Sequence, residues 1–447
     1  MIGLLLLFII ILLFAIVCYL LFERDILAPP VLMSNMFLLS ITFALLNVQN
    51  WEIDYSLEAA LILISGIMVF TLPMLFIHKK VNPIKTLTVE RPLRVDAWKI
   101  ISAIIICSII IFLYKREINY LASVAGYSGD NLQWFIRNAT SYEGILNFSS
   151  KMRIMVRFVD VTAYIFAFTL INNRVIHRYK FKYDYLMLIP IFLFIYKTLL
   201  LGGRLDILKL LFACVVQTYI LEKRNVGWNK IISAKYFTVG FAGISLGIPA
   251  FYYTLFLTGR STSRTLFQSI STYIGGSIQH FNQFIQDPPA KSPIFGNETL
   301  TPVLNFLNQL GIIDYQNTVH LEFRRLGVTI GNVYTFFRRP IQDFGLLGMY
   351  VFVICVGVFF GYYYYANIRT AKTNFRSDVS TIVYSYIFYW IFLSSIEQYS
   401  ISVISIFTLI GIILFYILGY FYWKIEFRNG KIIIINQDSN VITETGR

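Results

Sequence analysis

No charged residue stands between Ile2 and Leu21. A run of that length spans the hydrocarbon core of a bilayer as a helix, and the chain repeats the pattern. Apolar stretches occur at 2–22, 31–47, 58–77, 98–115, 152–172, 185–201, 206–221, 236–257, 344–366, 379–397 and 401–423. They predict about eleven transmembrane helices. Lipid offers a backbone amide no partner, so helices are the spanning form these runs allow; the alternation of a membrane barrel is absent. Composition agrees, with 57% of the 447 residues hydrophobic and 14% charged, where soluble domains carry about 25% charged residues. The expected fold class is an all-α polytopic integral membrane protein, a single membrane domain over 1–447. The first run lacks a basic leader and a small-residue cleavage site, so it reads as a retained helix rather than a signal peptide.

Loop charges orient the spans. Lys79, Lys80, Lys85, Arg91 and Arg94 lie in the 78–97 loop, and Arg174, Arg178, Lys180 and Lys182 in the 173–184 loop. Lys223, Arg224, Lys230 and Lys235 follow in 222–235, then Arg369, Lys372 and Arg376 in 367–378. Lys424, Arg428 and Lys431 lie in the tail, 424–447. All of these alternate correctly if each is cytoplasmic. The amino terminus is then outside and the carboxyl terminus inside, as expected of a multi-pass plasma-membrane protein. These loops account for the net charge of +14, so nucleic acid is not an expected partner. Cys18, Cys107, Cys214 and Cys355 fall in apolar runs and offer neither metal-ligand spacing nor a disulfide framework.

Two external segments are long, 116–151 and 258–342. The second carries Arg260, Arg264, Lys291, Arg324, Arg325, Arg338 and Arg339 against Asp287, Glu298, Asp314 and Glu322. A net basic segment above a bilayer suits an anionic ligand such as a lipid-linked phosphate or diphosphate. Apolar residues from Leu266 to Ile285 recur at helical spacing, and Asp287-Pro288-Pro289 would stop that helix. An ordinary packed cap and a roof over a lipid substrate would share this pattern.

Several residues could carry chemistry. Gly202-Gly203-Arg204 lies at an external turn, where Arg204 either grips a phosphate at headgroup depth or simply snorkels from a helix hairpin. Arg153, Arg157 and Asp160 share one face of a span, as ligand contacts or with Arg157–Asp160 as a structural pair. Glu397 sits near the outer end of its span, lining the same cavity or the interface. The block from Gly331 to Gly345 joins Tyr334, Arg338-Arg339-Pro340 and Asp343. Its arginine pair suits a diphosphate, and Asp343 would act as a base or orient an arginine. His280 and His320 are the external histidines. No Asp-x-Asp pair, Walker loop, dinucleotide fingerprint or zinc motif occurs, so no metal or other cofactor is expected.

Three of these stretches resemble one family. Tyr273-Ile274-Gly275-Gly276-Ser277-Ile278 with Phe281-Asn282 is the first, and Phe295-Gly296 followed by Thr299, Pro302 and Leu310-Gly311 the second. The third is Gly331 to Gly348, with Asn332-Val333-Tyr334-Thr335, Arg338-Arg339-Pro340 and Asp343-Phe344-Gly345. Together with Gly202-Gly203-Arg204 they are similar to the O-antigen and capsular polysaccharide repeat-unit polymerases of the Wzy type. The likeness covers roughly 200–350; elsewhere only helix count and hydropathy agree.

The resemblance implies a lipid-dependent glycosyltransferase (GT-C-like) architecture with a large external loop over the site. It implies a growing glycan on undecaprenyl diphosphate as donor and a lipid-linked repeat unit as acceptor. Undecaprenyl diphosphate is released, and a chain-length regulator is a possible partner. In that chemistry Arg204, Arg338, Arg339 and Arg264 hold the diphosphate, with Arg260 and Arg157 behind them. Asp343, Glu322, His280 and Glu397 serve as bases or orienters, and Gly203, Gly275, Gly276 and Tyr334 as substrate contacts. An O-antigen ligase would share the basic external face. A lipid-linked oligosaccharide flippase would instead need a charged path towards both faces.

Overall fold

The computed structural model describes residues 2–81, 92–127, 129, 131–142, 146–228, 230, 253, 265–315, 321–428 and 431–434. The chain is a mostly helical membrane protein. Six helices among the described residues are long and apolar enough to cross a bilayer. They are α1 (Ile2–Leu21), α3 (Leu57–Lys80), α4 (Ala97–Val124), α6 (Ser150–Leu170, prolonged by a π-helical turn Ile171–Ile176), α12 (Arg338–Gly361, prolonged by Tyr362–Ile368) and α14 (Ile406–Lys424). Their outward faces are paved with exposed apolar side chains, among them Leu5, Ile9, Leu61, Ile105, Phe112, Leu347 and Ile413. Such a surface is stable only against lipid.

Four further predicted spans form helices of other kinds. α2 (Pro29–Leu45) is 17 residues, α7 (Leu188–Leu200) 13 and α13 (Phe375–Ile387) 13. Tighter 3-10 turns lead into α7 (Asp184–Met187) and out of α13 (Phe388–Leu393). α8 (Leu205–Val226) is long enough but carries Asp206, Lys209, Glu222, Lys223 and Arg224. The predicted span 236–257 lies outside the described residues apart from Tyr253.

Two packed halves share α8 and α13. One is built on α1, α2, α3 and α12, the other on α4, α6, α7 and α14, and α8 and α13 contribute side chains to both. α3 and α12 make the most extensive helix contact. Glycine makes it possible: a Cβ on Gly357 would stand 2.9 Å from the Phe70 carbonyl oxygen, and one on Gly66 2.7 Å from the Phe337 ring. Small residues let helix backbones approach where lipid supplies no hydrophobic drive for association.

Polar networks close both ends of the bundle. At one end, Tyr219 and Tyr364 donate to Asp25 at 2.6 and 2.8 Å, and Arg369 pairs with Glu23 at 2.8 Å. Arg369 also faces Trp228, whose carbonyl accepts from Lys223 at 3.0 Å. At the other end, residues 265–315 and 321–337 fold into a cap.

The spacing from Leu266 to Ile285 predicts one amphipathic helix, and the structure divides it. α9 (Leu266–Ile274) and α10 (Gly276–Gln286) meet at Gly275, which presses on α2; a Cβ there would lie 2.7 Å from Phe43 Cβ and 2.8 Å from the Ala44 amide. That close approach breaks the helix, because the chain must bend to lie along α2. After α10 come α11 (Thr301–Gln309) and a hairpin of β1 (Arg324–Leu326) and β2 (Thr329–Gly331), so the described part of the 258–342 segment is not wholly helical. Gly327, with φ of 55°, turns the hairpin against the Asn50 carbonyl, 2.1 Å from where a Cβ would stand. α5 (Leu132–Arg137) lies in the shorter segment, and β3 (Ile425–Arg428) pairs with β4 (Lys431–Ile434) after α14.

Candidate functional site

A charged cavity opens inside the bundle at the capped end. Its volume is about 150 Å³, and it takes residues from the beginnings of α6, α8 and α14 and the ends of α7 and α13. α6 starts at Ser149, whose hydroxyl caps the Met152 amide at 3.2 Å. Two turns on, Arg157 points inward and donates to Asp160 Oδ2 at 3.0 Å and to Tyr386 Oη at 3.4 Å. Lys197 of α7 reaches the other Asp160 oxygen at 2.6 Å. The Arg157–Asp160 pair read from the sequence is therefore a triad with Lys197, in which Asp160 and Lys197 are buried and Arg157 is partly exposed. Arg153, one turn outward, lies over the Phe407 ring at 5.0 Å.

The Gly202-Gly203-Arg204 turn joins α7 to α8 as expected. Gly202 takes φ of 62°, and its carbonyl accepts from Arg137 at 2.6 Å. Arg204 is buried and its carbonyl opens α8 by accepting from Ile207 and Leu208. Gly203 sits in ordinary contact with Thr198. Asp206 and Lys209, one turn apart on α8, form an ion pair of 2.9 Å that faces the cavity, with Lys209 4.6 Å over the Tyr389 ring. Ser402, Ser405 and Thr408 add hydroxyls to the wall. Counting Arg157, Lys197 and Lys209 against Asp160 and Asp206 leaves an excess of one positive charge in and beside the cavity. Charged groups inside a membrane bundle are costly, and five of them gather in and beside this one cavity.

The other predicted residues form a denser network in the cap. Arg338, 1% exposed, directs its guanidinium fork at Glu298 and at Glu322, the latter 2.5 Å away, and lies between the Phe284 and Tyr334 rings. Arg339 pairs with Glu397 at 2.9 Å and donates to the Glu298 carbonyl at 3.2 Å. Asp343 accepts from the amides of Glu298 and Thr299 at 3.1 and 2.6 Å, holding the loop that carries Glu298. Asp343 thus orients the partner of an arginine. The short helical stretch bearing these residues ends at Gly345, whose φ of 71° kinks α12. Arg338, Arg339 and Arg324 face Glu298, Glu322, Glu397, Asp343 and Asp287, so acids are in excess here. Tyr399 joins the two places: it feels Glu397 and Arg339 on one side and Lys209 on the other, and burial raises its phenol above the usual range.

The remaining predicted residues stand apart from the cavity. His280 is buried under the hairpin, its Nδ1–H donating to the Val333 carbonyl at 2.8 Å, and burial pushes its pKa down to about 4. Tyr334 donates to the Glu322 carbonyl at 3.0 Å and is fully buried. Gly275 packs on α2 and Gly276 on Leu326, so both serve close packing. Arg324 is no simple solvated residue, since it donates to the Gln283 carbonyl at 3.2 Å and pairs with Asp287. Arg260, Arg264 and His320 lie outside the described residues. Sequence reading passed over Lys197, Asp206, Lys209, Tyr386 and Glu298. The signal was present for the lysines and Asp206, as charges within or bordering predicted spans.

The chain matches no protein-family model, no curated protein and no solved structure.

Proposed function

We infer that the protein is a membrane glycosyltransferase that polymerises undecaprenyl-diphosphate-linked oligosaccharide repeat units. The growing glycan passes to a new lipid-linked repeat unit, and undecaprenyl diphosphate is released. One observation carries this reading: a cavity inside the bundle lined by Arg157 and Lys209, with Lys197 behind, at the end covered by the long polar segment. A leaving diphosphate develops negative charge, and fixed cations in a site screened from water stabilise it most. The likeness of the Gly331–Gly348 block to repeat-unit polymerases supports the same reading. So does the gathering of Glu23, His78, Lys223 and Arg369 near the opposite end, since their loops are the ones that loop charge assigns to the cytoplasm. On this reading the cavity faces outside, about eleven helices span the plasma membrane in a GT-C-like arrangement, and no metal takes part.

The geometry shifts the expected roles. Arg157 and Lys209 meet the diphosphate, and Arg204 braces the start of α8. Arg338 and Arg339 hold the cap over the cavity through Glu298, Glu322 and Glu397. The test is reconstitution in liposomes with an undecaprenyl-diphosphate-linked oligosaccharide. Polymerisation yields a ladder stepping by one repeat unit, with undecaprenyl diphosphate released. Transfer of finished glycan only to a different acceptor would identify a ligase. Movement of intact substrate between leaflets without new bonds would identify a transporter and defeat the proposal.

A further inference from the structure

Nearly every carboxylate around the site is already engaged. Glu298 and Glu322 hold Arg338, Glu397 holds Arg339, and Asp343 accepts two backbone N–H groups. Asp160 is clamped between Lys197 and Arg157, with its side chain 6% exposed. Asp206 differs. It lines the cavity with its side chain 46% exposed, and its one hydrogen-bonded partner among the described residues is Lys209. Both residues stand on the same helix, three apart. Lys209 is also the adaptable cation of the cavity, since a lysine is a point charge on a flexible stem whereas Arg157 is fixed by Asp160 and Tyr386.

Resting on the polymerase reading above, we propose that the Asp206–Lys209 pair parts when substrate enters. Lys209 moves to the diphosphate, whose charge exceeds that of one carboxylate, and the uncovered Asp206 becomes the catalytic base. The acceptor hydroxyl oxygen then bonds to the anomeric carbon of the donor. The bond from that carbon to the diphosphate oxygen breaks, and its electron pair leaves with undecaprenyl diphosphate beside Lys209 and Arg157. The hydroxyl proton passes to the Asp206 carboxylate and from there to water. Within the cavity wall the pair keeps both groups satisfied, which explains two charged side chains lining the interior of a membrane protein. The cavity thereby couples base activation to occupancy: a carboxylate masked by Lys209 is a poor base until a diphosphate competes for the ammonium.

Binding and turnover separate the two roles. Full-length protein in liposomes is titrated with undecaprenyl diphosphate, and with inorganic pyrophosphate to isolate the headgroup, and polymer is measured alongside. Lys209→Met is expected to weaken both ligands at least about tenfold, and Lys209→Arg to recover part of that loss. Asp206→Asn is expected to bind as tightly as the wild type or more so, because Lys209 loses its competing counter-ion. Its polymer formation falls by about a hundredfold or more, as for loss of a general base. Retained binding also shows that Asp206→Asn is folded, and recovery in Lys209→Arg does the same at that position. Equal loss of binding in Asp206→Asn and Lys209→Met would mean a merely structural pair and overturn the proposal, as would an Asp206→Asn variant that still polymerises. If the wild type binds undecaprenyl diphosphate through Lys209 but forms no polymer, the polymerase reading and the base role fall together, while the exchange of ion partners stands.

Discussion

Replacing Arg338 with methionine tests what the cap is for. The guanidinium is buried and answers two carboxylates from separate loops, Glu298 and Glu322. Methionine fills similar space but strips Glu298 of its cation and leaves Glu322 with Arg324 alone, 3.7 Å away. Removing one partner of a buried ion pair costs about 3–5 kcal/mol. The lost stacking on Phe284 and Tyr334 adds about 0.5–2 kcal/mol. At 1.4 kcal/mol per factor of ten, the first term alone shifts the folding equilibrium of the cap by roughly a hundredfold to several thousandfold. The loss concentrates in the 265–337 segment, so limited proteolysis should cut there first, at temperatures where the wild type stays whole. The triple variant Arg338→Met, Glu298→Gln, Glu322→Gln removes the stranded charge and should regain most of that resistance, since neutralising both sides of a buried pair is far cheaper than breaking it. If the proposed polymerase function holds, polymer formation should return with it. An Arg338→Met protein as resistant as wild type would refute the structural role. A triple variant that is protected but inactive would return Arg338 to direct contact with diphosphate.

His280 makes the same cap sensitive to acid. Its pKa drops from 6.5 to about 4, so the folded state binds fewer protons than the unfolded state. Stability is fully present above about pH 6.5 and is lost as pH falls towards 4, by up to roughly 3 kcal/mol from this group; His280→Gln should flatten a melting curve measured across that window. Gly275→Ala should be destabilised by about 1–3 kcal/mol, because the new methyl meets α2 backbone that cannot rotate away; thermal unfolding in detergent checks it, and an unchanged midpoint would show that α9 and α10 are not seated on α2. Reporter fusions after Lys80, Lys182 and Lys372 should register cytoplasm, and those near Ser141 and Asn297 the outside. A cytoplasmic signal at Asn297 would place the cavity at the wrong leaflet for the proposed reaction.

The apolar runs determined most of the fold's outline, because a twenty-residue stretch without charge has few stable alternatives in water or lipid. α1, α3 and α6 begin and end within a few residues of the predicted limits of their spans, whereas α4 runs on past the limit at Lys115 to Val124 and α14 begins at Ile406 rather than Ile401. The Gly202–Arg204 turn and the shared face of Arg157 and Asp160 were legible too, since a turn and a helical face are local properties. The site was not legible as a whole. Arg338 and Arg339 looked like a free cationic pair, and nothing in their neighbourhood announces Glu298, Glu322 or Glu397, which reach them from 16 to 58 positions away. Composition made the 258–342 segment basic, but local pairing in the cap reversed the balance around Arg338. Conversely, Asp206 and Lys209 look like one helical ion pair until α6, α7, α13 and α14 close around them and leave a void. Sequence determines where charge lies along the chain. Only tertiary packing decides which charges cancel and which line a cavity, because electrostatic partnership depends on distance in three dimensions and on the water that folding removes.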